Sequence, residues 1–384
     1  MNRLRVAVIG LGFIGANHVE SIRRLGFADI VAAADAQASY GAAKAKEMSI
    51  DRFYSDSTEL LAREDVDIVH NCTPNHMHWS INKQIIEAGK HVLSEKPLGT
   101  DSGETGAMLD LLAAHPEVAN AVNLNYRMSP LVQDMRQKVI AGEIGRPLLV
   151  HGSFLQDWLL YDTDYNWRVE RSYGGPSRAI ADIGSHWMDA VQTILGDEIV
   201  EVCSDLATVF PVRKKPLQAV ETFSIGASGE YELCPIDTED YGAVLFRTRK
   251  GTRGVFHVSQ VSAGRKCKFT IEIDGTQSAL YWDQESADRM WVGYRDTHNL
   301  EVMRNPGLMS PAARQYTYLA AGHPEGWSDA LKSNIWSFYQ FIRDGRKPGD
   351  GPTDFATFKD GHRLVQLTEA VLRSAADRRW ITVE

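Results

Sequence analysis

Arg5-Val6-Ala7-Val8-Ile9-Gly10-Leu11-Gly12-Phe13-Ile14-Gly15 is the stretch whose reading decides the fold. Its first five residues form a β-rich apolar run, and Val19, Ile22 and Leu25 then recur every third residue, the spacing of a helix face. Between strand and helix stand three glycines in the order G-x-G-x-x-G. Each meets a separate need: Gly10 a tight turn, Gly12 the close approach of a pyrophosphate, Gly15 close packing of helix on strand. The turn through Phe13 and Ile14 opens the helix, whose N–H groups and positive dipole end would face the phosphates.

A second apolar run, Ile30-Val31-Ala32-Ala33-Ala34, ends at Asp35. A carboxylate there accepts hydrogen bonds from the adenosine ribose and repels a 2′-phosphate. Neither Gln37 nor Ser39 offers the cation such a phosphate needs, so NAD is expected over NADP. Val66 to Cys72 reads as the next strand, running into Thr73-Pro74-Asn75-His76-Met77-His78. Pro74 enforces an extended turn there, and Thr73 and Asn75 can offer groups to a bound ribose. A helix from about Trp79 to Ala88, closed by Gly89, follows.

His91-Val92-Leu93-Ser94-Glu95-Lys96-Pro97-Leu98-Gly99 then reads as a buried strand ending in a lysine. Ligands of parallel sheets bind beyond the carboxyl ends of the strands, where a partly desolvated ammonium needs compensation. A bland alternative has Lys96 merely neutralising Glu95. Thr100 or Asp101 caps another helix, and Glu117 to Leu124 makes one more strand. Short links and strict alternation predict a doubly wound sheet.

At 384 residues the chain is long for one core, so two domains are expected. A net charge of −9 argues against nucleic acid or an anionic membrane as partner. Cys72, Cys203, Cys234 and Cys267 form no C-x-x-C pair, so neither a zinc site nor a disulfide framework is expected. The apolar run near Met1 is too short and glycine-broken for a signal peptide, and no stretch approaches a membrane span. A cytoplasmic protein is expected.

The glycine fingerprint, Thr73-Pro74-Asn75-His76, Glu95-Lys96-Pro97 and Asn125-Tyr126-Arg127 resemble the Gfo/Idh/MocA family of sugar and inositol dehydrogenases. The resemblance runs over the whole chain, and Glu-Lys-Pro is its most specific motif. It implies an N-terminal Rossmann dinucleotide-binding domain, residues 1–124. The C-terminal α+β domain, residues 125–384, would carry a large, mainly antiparallel open sheet covered by helices on one face. The tail around Trp380 would be within reach of the first domain. Implied cofactor contacts are Thr73, Pro74, Asn75, His78, Glu95, Lys96, Asn125, Trp167 and Arg168, besides the glycine turn and Asp35.

In the second half, Ser129-Pro130 opens a helix and Arg146 to Asp157 reads as a strand. Residues 157–178 are a long polar-aromatic segment holding Trp158, Trp167 and Arg168. Aromatic faces beside Asp, Asn and Arg suit a sugar, and an interface-building loop is the alternative. Asp182, His186 and Asp189 share one helix face by spacing. The family's Asp-x-x-x-His motif falls on Asp182 and His186. The lead-in Gly174-Gly175-Pro176-Ser177-Arg178 departs from the family's run of three glycines, which puts loop geometry and substrate class in question. Alternating segments from Ile199 to about Met303 predict hairpin-linked strands. Helices follow to about Arg343 and from about Asp354 to Ala376, and His323 stands in the loop before the first of them.

The sequence thus predicts an NAD-dependent dehydrogenase acting on a secondary hydroxyl of a cyclic polyol. By resemblance His186 is the general acid/base, Lys96 binds the reacting oxygen and Asp182 orients one of them. Which of Lys96 and His186 holds the proton stays open. Tyr126, Trp158, Arg168 and His323 join Lys96, Asp182 and His186 as expected substrate contacts. No metal is expected, and the C-terminal sheet is expected to join copies into a homodimer or homotetramer. Two other classes compete: an NAD-binding regulator without turnover, and an NAD-retaining glycosidase working by transient oxidation.

Overall fold

Residues 3–63, 65–217 and 229–383 are described by a computed structural model. They fall into two compact units. One comprises Met1–Asn125 with Leu331–Val365, the other Tyr126–Ala330 with Gln366–Glu384.

The first unit is built on six parallel strands: β1 (Leu4–Ile9), β2 (Ala28–Ala34), β3 (Phe53–Tyr54), β4 (Ile68–Asn71), β5 (His91–Ser94) and β6 (Asn120–Val122). Their spatial order is β3-β2-β1-β4-β5-β6. The chain builds outward from β1 in one direction and then resumes at β4 on the other side. That reversal opens a crevice at the carboxyl ends of β1 and β4. Val6 to Ile9 and Ile68 to Asn71 are buried, as strands covered on both faces require. Helix Phe13–Leu25 lays Val19 and Ile22 on this sheet and stops at Gly26, whose φ of 77° ends the helical winding. The cap of Ser102–Ala114 is Asp101, whose carboxylate accepts from the Glu104 N–H.

Sequence alone did not show that residues 331–365 belong here. Their aromatic side chains give the reason. Phe338, Tyr339, Phe341 and Phe355 are all buried, with Phe355 edge-on to Phe338 at 5.2 Å and to Phe341 at 5.5 Å. Ala356 O accepts from Val122 N at 2.8 Å, extending the edge of β6.

The second unit holds a nine-stranded sheet of β7 (Pro147–Leu155), β8 (Ile199–Ala207), β11 (Tyr241–Thr248), β12 (Arg253–Ser259), β13 (Lys268–Gly275), β14 (Ala279–Asp283), β15 (Arg289–Gly293), β16 (Leu300–Met303) and β17 (Ile381–Thr382). β9 (Val212–Pro216) and β10 (Tyr231–Pro235) form a separate ribbon. The order is β16-β15-β14-β13-β7-β12-β11-β8-β17, antiparallel throughout except for β7 beside β12. The C-terminal tail supplies β17, paired with β8.

Alternation sets the two faces of this sheet. Val150, Phe154, Val244, Phe246, Phe256, Phe269 and Ile271 point inward and are buried. Helix Ser185–Leu195 belongs to the same core through Trp187, which stacks on Phe256 at 4.5 Å and donates its indole N–H to Thr270 O at 2.8 Å. The other face carries one direct cross-strand row: Cys203, Leu245, Val255, His151, Glu272, Tyr281, Trp291 and Glu301. All four cysteines are free thiols. Among the described residues no helix is long and apolar enough to cross a membrane.

Candidate active site

The glycine turn has the shape its sequence predicts. Gly10 takes φ 92°, and a Cβ there would lie 2.6 Å from Cys72 O. A Cβ on Gly15 would lie 2.0 Å from Gly10 O, so only glycine lets helix and strand approach this closely. Gly12 is different: a Cβ there meets nothing within 4 Å, so the space above its α-carbon is open, and no side chain caps the helix at that point. Asp35 closes the loop from β2. Its Oδ2 accepts from Leu11 N and its Oδ1 from Gln37 N, both at 2.9 Å. Each oxygen keeps a further lone pair for a ribose hydroxyl. An open glycine cradle at a helix start with an acceptor-only carboxylate beside it fits the pyrophosphate and ribose of NAD.

Past β4, Thr73 Oγ1 donates to Asn71 Oδ1 at 2.7 Å, and Asn71 in turn donates to Asn82 Oδ1 at 2.8 Å. Pro74 is extended, with ψ 153°, and starts the short turn Asn75–Met77. His78 is fully buried between two carbonyl oxygens, Pro97 at 2.7 Å and Thr73 at 2.9 Å. Burial pushes its imidazole below the ordinary range. His78 therefore lies between the turn after β4 and the turn after β5, with one ring nitrogen against a carbonyl of each. Asn75 and Asn125 are also buried, and Phe13 is half-exposed.

Glu95 and Lys96 follow β5. Glu95 is buried and Lys96 partly exposed. Glu95 Oε1 accepts from Asn123 Nδ2 at 2.6 Å and contacts His18 Nε2 at 2.8 Å, and its Oε2 accepts from Lys96 N at 3.2 Å. Burial opposes ionisation of this carboxyl. The hydrogen bonds from His18 and Asn123 and the charge of Lys96 outweigh it and hold the group at about 2. Asn334, on the returning helix, donates to Asn123 Oδ1 at 3.1 Å.

In the second unit Asp182 lies in a turn of π-helix, Ile180–Gly184, that runs directly into helix Ser185–Leu195 and His186. Gln260, wholly buried, donates to Asp182 Oδ2 at 2.7 Å, and Arg168 Nε approaches Asp182 Oδ1 at 3.9 Å. Arg168 lies over the Trp167 ring at 4.4 Å and donates to Asn166 Oδ1 at 3.1 Å. The aromatic segment thus reaches the aspartate through Arg168. The His186 ring stands edge-on to Tyr126 at 4.9 Å, and the Tyr126 hydroxyl contacts Cys267 Sγ at 3.3 Å. Burial, with Cys267 and Asp182 nearby, pushes that phenol well above its ordinary range. Asp189, one turn beyond His186, forms a buried two-pronged ion pair with Arg127, with Nε at 2.9 Å from Oδ2.

Two further expected substrate contacts, Trp158 and His323, lie in the second unit. Trp158 donates its indole N–H to Gln156 Oε1 at 3.0 Å and packs on the buried cluster of Leu159, Val169 and Ile236. His323 is exposed on its loop, with its carbonyl accepting from Arg304 Nη2 at 2.6 Å. On the open face of the sheet, His151 Nε2 lies 3.8 Å from both Glu272 Oε2 and Asp274 Oδ2, the one such cluster with metal-ligand spacing among the described residues.

Sequence reasoning missed His18, His70, Asn123, Gln260 and Tyr339. Gln260 stands at a strand end, 78 residues from its partner Asp182, and no local pattern marks it. His18 follows the last fingerprint glycine by three residues and reads there as an ordinary helix position.

Comparison with known proteins agrees with this geometry. Residues 4–122 match the family model of the oxidoreductase family with an NAD-binding Rossmann fold, and residues 132–281 match the GFO/IDH/MocA C-terminal domain. The levoglucosan dehydrogenase of Pseudarthrobacter phenanthrenivorans is 28% identical over 100% of this chain and 99% of its own length. The inositol 2-dehydrogenase of Rhizobium meliloti is 24% identical over 99% of both chains. A solved structure of levoglucosan dehydrogenase in complex with NADH and levoglucosan superposes with a TM-score of 0.88, at 26% identity and full coverage of both chains. Glycine cradle, strand-end lysine, helix-borne aspartate and histidine, and both matched domains make this chain a member of the Gfo/Idh/MocA family of NAD-binding oxidoreductases.

Proposed function

We propose that the protein oxidises a secondary hydroxyl of a cyclic sugar, glycoside or inositol to a ketone, with NAD preferred over NADP. The observation that carries this reading is the pair of prepared groups, one in each unit. Lys96 follows β5 beside the buried Glu95 carboxylate, and His186 follows an aspartate held by Gln260 with Arg168 nearby. The relatives named above act on compounds of that kind over the full length of the chain.

When bound, NAD supplies the hydride acceptor. Lys96 donates a hydrogen bond to the reacting oxygen and stabilises the negative charge that grows there. His186 takes the hydroxyl proton, and Asp182 orients the donor and acceptor groups around it. Tyr126 limits the tilt of the His186 ring from the side. Arg168, stacked on Trp167, offers the planar donor set that sugar hydroxyls accept. Thr73, Asn75 and Asn125 are the polar groups that this reading assigns to the cofactor. The open face of the nine-stranded sheet leaves Leu149, Leu245 and Val255 about half exposed in its centre, and we infer that a second copy covers it.

The test is a panel of sugars, anhydrosugars and inositols scored by NADH absorbance. Turnover of at least one cyclic polyol with NAD is expected, with Lys96→Met lowering kcat ~10²-fold while NAD still binds. A panel without turnover, or a Lys96→Met protein with near-parent kcat, refutes the assignment. Light scattering at micromolar concentration should give at least a dimer mass, and a monomer refutes the sheet-to-sheet assembly.

A further inference from the structure

Glu95 is one end of a chain of buried side chains that the reaction above does not use. His18, His70 and Tyr339 are each fully buried. Tyr339 Oη lies 2.8 Å from His70 Nε2, His70 Nδ1 lies 2.7 Å from His18 Nδ1, and His18 Nε2 lies 2.8 Å from Glu95 Oε1. In each contact only one of the two atoms donates, so fixing one proton fixes the next.

Tyr339 is the fixed end. Burial holds its hydroxyl well above the ordinary phenol range, so it remains O–H, and His70 is its hydrogen-bond partner among the described residues. It therefore donates to His70 Nε2. Burial holds His70 well below the ordinary imidazole range, so His70 carries one proton. With Nε2 accepting, that proton sits on Nδ1 and goes to His18 Nδ1. His18 accepts there and carries its own proton on Nε2, which goes to Glu95. The chain ends on a carboxylate, which only accepts.

In this arrangement His18 meets Glu95 as a neutral donor, and Asn123 Nδ2, 3.3 Å from His18 Nε2, gives its proton to Glu95 Oε1 at 2.6 Å. The other contacts of the carboxylate, the Asn123 amide and the Lys96 backbone N–H, are neutral too. The remaining titratable groups around it are Cys72, whose thiol burial pushes well up, and His78, whose imidazole burial pushes down. Lys96 stands next to it in the chain, and its charge favours the Glu95 carboxylate.

We propose that Tyr339, His70 and His18 are positioning residues that present one neutral donor to Glu95, so that Glu95 holds Lys96 as a charged hydrogen-bond donor and proton acceptance falls to His186. The proposal rests on the assignment of Lys96 and His186 to the reaction. It separates two roles that the spacing of residues left interchangeable.

The first measurement is 15N NMR of the NAD-bound full chain labelled at histidine, near neutral pH, with signals assigned by His18→Gln and His70→Gln. His18 protonated at Nε2 alone and His70 at Nδ1 alone are expected. A doubly protonated His18, or either tautomer reversed, overturns the proposal. Kinetics give an independent readout. His18→Gln keeps a donor and an acceptor and should hold kcat within about 3-fold, whereas His18→Leu should lose ~10-fold or more. Equal losses, or none for His18→Leu, overturn it. Should His18→Leu fail to fold, Tyr339→Phe removes only the hydroxyl and should leave His70 in mixed tautomers; an unmixed Nδ1–H signal overturns the chain. Lys96→Arg keeps charge and donors but accepts no proton, so it should turn over at least ~10-fold faster than Lys96→Met. Equal rates overturn the donor role. A Lys96→Met protein of near-parent kcat with the expected tautomers sinks the reaction assignment and leaves the chain of protons standing; reversed tautomers with an impaired Lys96→Met do the converse.

Discussion

Replacing Asp35 by asparagine keeps the size of the side chain and removes its charge and one of its two acceptors. The parent carboxylate accepts Leu11 N and Gln37 N, both at 2.9 Å. Asparagine can serve only one of them, and the other N–H then faces an amide NH2. Losing a hydrogen bond to a charged acceptor costs ~1.5–3 kcal/mol, which corresponds to ~10–150-fold in an equilibrium constant. The loss divides between two observables, since the same oxygens brace the glycine turn and would accept the ribose hydroxyls. Part shows as lower stability of the cofactor-free chain, and the rest as weaker NAD binding. NADP loses less, because the variant no longer repels a 2′-phosphate. Titration calorimetry with both cofactors should find NAD affinity down ~10-fold or more and the NAD-over-NADP preference reduced by a similar factor. An NAD affinity within about 2-fold of the parent, with unchanged preference, refutes the reasoning. A lowered Tm with NAD affinity intact would assign the carboxylate to the loop alone.

Three further outcomes are expected. Asp189→Leu leaves the buried Arg127 guanidinium without its carboxylate, which should cost ~3–5 kcal/mol in urea unfolding; less than about 1 kcal/mol would count against the pair. Glu95→Gln should be less stable than the parent at neutral pH. A carboxyl at about 2 folded and near 4.5 unfolded contributes about 3 kcal/mol above the upper value and loses it as pH falls toward the lower one. The difference between parent and variant should therefore shrink over that window, and one that persists below it contradicts the sign. Gln260→Leu should lower kcat ~5–10-fold by releasing Asp182, with little change in Tm, because the Gln260 Oε1 it also removes is buried without a hydrogen-bond partner among the described residues. Unchanged kcat removes Gln260 from the site.

The parts of this molecule that were legible in its sequence are those specified by neighbours along the chain. Gly10, Gly12 and Gly15 fix a turn within six residues, and strand alternation announces the inward face of the large sheet. Partners brought together by the fold leave no such mark. His70 and Tyr339 are 269 residues apart, and Arg127 and Asp189 are 62 apart. Trp158 shows a subtler limit. Its aromatic, polar neighbourhood in sequence suits a sugar, and the fold also packs it on Leu159, Val169 and Ile236, a contact that composition does not announce. The return of residues 331–365 to the first unit was hidden for a similar reason: Phe338 and Phe341 mark a buried face without saying against what.

The π-helical turn at Ile180–Gly184 has a consequence for how this active site could diverge among related chains. Such a turn is an α-helix carrying one residue too many. Deleting Ile183 or Gly184, the two of the five that lie between Asp182 and the following helix, would restore ordinary winding there and turn position 182 around the axis relative to His186. Losing a single codon here would redirect the Asp182 side chain while the Trp187 anchor and His186 keep their places on the following helix. Insertions and deletions are usually confined to surface loops, and this helix start is a buried place where one would act as a change of chemistry.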